Sequence, residues 1–120
     1  MFKEYNANPI ASRVGDCAVR AIATATGQRW ETVYDSLCEI GRQLFDMPSS
    51  NHVWGEYLFS IGYTRHIIPQ LMTVREFANK HSNGSYILCI SGHVVACVDG
   101  IYYDTWDSGD EIPIYFWKET

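Results

Sequence analysis

The chain has 120 residues, of which 47% are hydrophobic and 19% charged, a composition that supports a packed core and excludes a disordered tail. Nine Lys and Arg against fourteen Asp and Glu give a net charge of -5, which argues against binding to a phosphate backbone. No stretch approaches the ~18 consecutive apolar residues of a membrane span. The N-terminal MFKEYNANPIASR carries no apolar run of signal-peptide length, so the expectation is a cytoplasmic protein with reduced thiols.

In chain order, residues 1–14 read as an irregular lead-in, with Asn8-Pro9 marking a turn or an extended pair. A first helix is expected to start at Asp16, a good N-cap type, and to stop at Gly27. Val19, Ile22, Ala23 and Thr26 recur at helical spacing and give it a buried face. The second helix is expected over 30–41, with Gly41 near its end. Ser50 or Asn51 caps a third that runs to Gly62. A short strand YTRHIIP follows, ended by Pro69, and then a short helix whose Thr73 and Glu76 form a capping box.

From Ser85 the period changes. SYILCIS, HVVACV, IYYDTW and IPIYFW are rich in Val, Ile, Tyr and Trp, the residues that suit a pleated surface. Asp99-Gly100 between two of these runs is a strong hairpin signal. No repeat or linker interrupts the chain. The expected architecture is therefore a single α+β domain over 1–120, with N-terminal helices packed on a C-terminal antiparallel sheet.

Cys17 is the first candidate for chemistry. It falls in the first turn of the first predicted helix, where unpaired N–H groups and the helix dipole stabilise a thiolate. Such placement, helped by a cation, lowers a thiol pKa from ~8.5 to ~3.5–7.5. The bland role for such a residue is packing of a helix N-terminus. His93 is the second candidate, at the start of a strand after Ser91-Gly92, where a glycine permits close approach of another backbone or a substrate. His52 and His81 near helix ends are expected to face solvent, and His66 to be an ordinary sheet residue.

Strand geometry selects the third. A two-residue turn at Asp99-Gly100 pairs Val98 with Ile101 and makes Asp104 a diagonal neighbour of His93, while Asp107 falls on the opposite face. A carboxylate there orients the imidazole and favours its charged form. Cys38, Cys89 and Cys97 are widely spaced, with no CxxC or CxxH pair, so neither a zinc site nor a disulfide is expected, and no cofactor is implied.

GDCAVRAIA and GHVVACVDGIYYDTWDSG together resemble the papain-like superfamily of cysteine peptidases, most of all small bacterial members akin to double-glycine leader peptidases. GDCAVRAIA with the following TG and W also looks like small proteins of bacteria and their phages. The resemblance covers nearly the whole chain and implies a Cys17-His93-Asp104 triad acting on a peptide or protein substrate; the charge balance and the lack of a long apolar run lead to the expectation of no nucleic-acid or membrane partner. It also implies an oxyanion hole built from the Cys17 backbone N–H and a side-chain amide. The family's Gln for that role matches Ala11 here, which leaves Asn8, Asn6 or Ser12 as substitutes, Asn8 being preferred because its side chain is an amide. The alternative is an inactive fold of the same ancestry that binds a partner protein through the acidic, aromatic run YDTWDSGDEIPIYFW, whose bland role is sheet and core packing.

Overall fold

A computed structural model describes all 120 residues. The helices are α1 (Cys17–Thr26), α2 (Trp30–Leu44), α3 (Asn51–Ser60) and α4 (Val74–Lys80); the strands are β1 (Phe2–Glu4), β2 (Tyr63–Ile67), β3 (Ser85–Ile90), β4 (His93–Val98), β5 (Ile101–Asp104) and β6 (Tyr115–Glu119). The architecture is α+β, with one six-stranded sheet in the order β1-β5-β4-β3-β6-β2.

The sheet is not wholly antiparallel, and not wholly C-terminal. Phe2–Glu4, expected to be irregular, pairs in parallel with Tyr102–Asp104 of β5. Three residues carry too little periodic signal to announce a strand, and the partner lies almost a chain length away. The Tyr5 N–H extends this contact by donating to the Asp104 carbonyl at 2.9 Å. The run IYYDTW is a strand only to Asp104, and IPIYFW only from Tyr115.

Both faces of the central strands are covered. Ile87, Cys89, Val94 and Ala96 pack with α1, α2 and α3, whereas Tyr86, Leu88, Val95 and Cys97 pack with Val74, Phe77 and Ala78 of α4. Burial on two faces explains why β3 and β4 are almost continuously apolar instead of alternating. Each fully buried aliphatic or aromatic side chain contributes roughly 1.5–3 kcal/mol, so this two-sided packing is what fixes the strand positions.

The local signals act in different ways. Thr73 and Glu76 form both halves of their capping box, and Ser50 caps α3 by accepting from the His52 N–H at 3.3 Å. Gly27 ends α1 in the left-handed conformation. Gly41, by contrast, does not stop α2, which continues through Leu44 to a left-handed Phe45. Gly41 is instead required by packing, because a Cβ there would lie 2.7 Å from the Asp46 carbonyl oxygen. Asp99 and Gly100 both have positive φ, at 50° and 81°, the geometry of a tight two-residue hairpin turn. Gly92 has φ 72° and nothing within 4 Å of where a Cβ would stand, so the turn requires it and no close neighbour does. His81 does not face solvent freely: its ring stacks on Phe77, with centroids 3.8 Å apart.

Candidate active site

Asp16 occupies the N-cap of α1 but its side chain makes no capping bond. The carboxylate is buried and drawn elsewhere: Oδ1 accepts from Arg20 Nε at 2.7 Å, and Oδ2 from Asn8 Nδ2 at 3.1 Å and Trp30 Nε1 at 3.0 Å. This leaves the N–H groups of Cys17, Ala18 and Val19 without intramolecular acceptors, since the first backbone bond of the helix is Arg20 N–H to Asp16 O. Cys17 therefore sits, half-buried, at a helix start whose donors are open.

His93 is the first residue of β4. It has the strand parity of Val95 and Cys97, and it lines the same cavity as Cys17 of α1. Nε2 lies 2.7 Å from Asp104 Oδ2. That bond leaves Nδ1 as the ring nitrogen for the sulfur. Asp104 is almost fully buried, at 3% exposure, and is held from three further sides. Ser108 Oγ donates to Oδ2 at 2.7 Å, the Thr105 N–H donates to Oδ1 at 2.8 Å, and the Arg20 guanidinium stands 3.8 Å from Oδ1. A buried carboxylate persists only when so partnered. Trp106 covers the His93 ring, with centroids 5.3 Å apart.

The electrostatics follow from this geometry. Burial alone would lower the His93 pKa, but the hydrogen bonds to Asp104 and Cys17 and the two negative charges raise it to about 9. Burial would raise the Cys17 pKa, but it is lowered below the ordinary thiol value by the His93 hydrogen bond and charge, the Val94 N–H and the Arg20 guanidinium. The two shifts favour one state, a thiolate beside an imidazolium. The other buried thiols go the opposite way: burial pushes Cys89 up to about 12 and Cys97 up to about 11. All four cysteines are free, and no group of three or more His, Cys, Asp or Glu side chains is arranged to hold a metal ion.

Cys17 and His93 line one cavity of about 380 Å³, together with Ser49, Asn51 and Trp54 around the start of α3 and Tyr115 of β6. A larger cleft of about 690 Å³, lined by Arg13, Arg20 and Trp106 among others, contains neither the thiol nor the imidazole. The thiol and the imidazole both lie in the smaller one.

Three of the residues singled out by sequence, Cys17, His93 and Asp104, are thus brought together. Asp107 is not with them; its Oδ1 accepts from Tyr102 Oη at 2.7 Å. Asn8 is not with them either, which corrects its assignment as the oxyanion amide. Its Nδ2 is spent on Asp16, and its Oδ1 accepts from the Ile10 and Ser12 N–H groups at 3.1 and 3.3 Å, so Asn8 folds the lead-in loop. Asn6 accepts from the Asn8 N–H through Oδ1. Sequence reasoning missed Arg20 and Ser108 as partners of Asp104. Arg20 had a visible signal, since it lies four residues after Asp16 and about one helical turn beyond Cys17. Ser108 had none, because its bond depends on how the chain turns after β5.

Compared with protein-family models, with curated proteins and with solved structures, the chain finds no match. No helix is long and apolar enough to cross a membrane.

Proposed function

We propose that this α+β protein is a papain-like cysteine peptidase of bacterial or phage type that hydrolyses a peptide or isopeptide bond. The observation that carries the reading is the single cavity shared by the Cys17 thiol and a His93 ring whose Nε2 lies 2.7 Å from the buried Asp104. Nucleophile, base and orienting carboxylate stand in series, each on a different element.

In this mechanism the Cys17 thiolate attacks the carbonyl carbon, forming a C–S bond while the carbonyl π electrons move to oxygen. The free Cys17 N–H supports that oxyanion. Collapse of the tetrahedral intermediate breaks the C–N bond, and the His93 imidazolium protonates the departing amine. Water then attacks the thioester carbonyl, His93 takes its proton, and breaking of the C–S bond releases the carboxylic acid and restores the thiolate. Asp104 keeps Nε2 protonated and Nδ1 directed at the reacting atoms throughout.

The test is cleavage of a peptide library by the wild-type chain and by Cys17→Ala. New termini formed by the wild type alone support the reading. The same termini from both proteins, or none from either in a wild type that also forms no acyl-enzyme, overturn it. An inert Cys17 would favour the partner-binding alternative.

A further inference from the structure

The geometry points to Asn51 as the side-chain amide that completes the oxyanion hole, a role that rests on the peptidase reading above. Asn51 and Cys17 line the same cavity, and Asn51 is exposed to solvent, hence open to an entering substrate. Its orientation is fixed by chemistry. The indole N–H of Trp54 can only donate, and at 3.1 Å it must face the Asn51 oxygen, not the amide nitrogen. Trp54 is itself 1% exposed, so this bond is the outlet for a buried donor and holds the amide in one flip state. The Asn51 Nδ2 is then left with no acceptor in the chain, in the cavity that also holds Cys17, whose own N–H is unpaired.

The start of α3 makes this possible. Ser50 takes the capping position, which frees the Asn51 side chain from the backbone. With Ala11 at the position the peptidase pattern reserves for Gln, and Asn8 committed to Asp16, Asn51 supplies from a different element the donor those residues do not. In the acylation step it donates one N–H to the carbonyl oxygen as the C–S bond forms. It gains and loses no proton.

Two reactions of Cys17 separate this role from others. Alkylation by iodoacetamide displaces iodide at a saturated carbon and generates no oxyanion, so it reads only the thiolate. Acylation by p-nitrophenyl acetate passes through a tetrahedral oxyanion. In Asn51→Ala and Asn51→Asp, the ratio of acylation to alkylation rate should fall about 10²–10³-fold, the usual loss on removing one oxyanion donor. Asn51→Asp keeps an acceptor for Trp54 but exchanges the donor for a negative charge. Dividing by the alkylation rate removes the effect of that charge on the thiolate, and a comparable fall in the uncharged Asn51→Ala assigns the loss to the missing donor. A ratio that stays at the wild-type value in Asn51→Asp, whether or not Asn51→Ala lowers it, overturns the inference and leaves Asn51 as a support for Trp54. A wild-type Cys17 that neither alkylates rapidly nor acylates overturns the peptidase reading itself, and this inference with it.

Discussion

His93 Nε2 stands 2.7 Å from Asp104 Oδ2, across a hairpin whose two turn residues, Asp99 and Gly100, set which carboxylate the ring meets. Pairing runs through Val98 with Ile101 to Ala96 with Tyr103. A turn one residue longer would slip the register and exchange the faces of the strand, presenting a different side chain to the imidazole.

Replacing Asp104 by Asn keeps a side chain of the same size but removes the charge that stabilises the imidazolium. On the proposed mechanism, turnover should drop on the order of 10³–10⁴-fold, as when the orienting carboxylate of a triad is neutralised. Asp107→Asn should leave turnover near wild type, because Asp107 bonds Tyr102 and not the ring. Rate measurements on the two variants side by side check this, and equal losses in both would contradict it.

The pH profile follows from the two shifts. Cys17 becomes a thiolate at a pH below the ordinary thiol range, so reactivity rises early on the acid side. His93 loses its proton only near pH 9, so a step needing the imidazolium as acid declines as pH rises through about 9. Hydrolysis should therefore be bell-shaped, with limbs that belong to the coupled pair. A profile that keeps rising through pH 9, as a lone thiol would give, contradicts the ion pair.

Gly41→Ala tests the packing of α2. In an exposed helix interior the change would stabilise by about 1 kcal/mol. Here the added methyl would meet the Asp46 carbonyl oxygen at 2.7 Å, a backbone atom that cannot swing aside. The expected outcome is a net loss on the order of 1–3 kcal/mol in denaturant unfolding. Unchanged or increased stability would contradict the close approach.

Asn8→Ala should lower stability while sparing the thiol. It removes a donor to the buried Asp16 and the acceptor for two loop N–H groups, worth together about 1–3 kcal/mol. The alkylation rate of Cys17 in the folded variant should match wild type, because the cavity that holds the thiol does not include Asn8.

The helices and the Asp99-Gly100 hairpin were legible because their determinants are local: apolar period, capping residues and turn chemistry within a few positions. The capping box at Thr73 and the left-handed Gly27 are of this kind. β1 was not legible, since its pairing with β5 depends on residues about a chain length away. Gly41 misled for a related reason, being fixed by contact with Asp46 and not by helix ending. Within the site, Cys17, His93 and Asp104 were found by helix position and strand parity. Asn51 was visible only as one of two possible caps; that Ser50 caps the helix and Trp54 holds the amide are facts of packing.

The most direct measurement is site-resolved alkylation of the native protein by iodoacetamide at neutral pH, followed at Cys17 and Cys38. Both are half-buried, while Cys89 and Cys97 are buried, so exposure alone does not separate the first pair. The account predicts that Cys17 is modified far faster than Cys38, and that His93→Ala abolishes the difference. Equal rates at Cys17 and Cys38 in the wild type would contradict a thiolate held by His93, and with it the proposed catalytic centre.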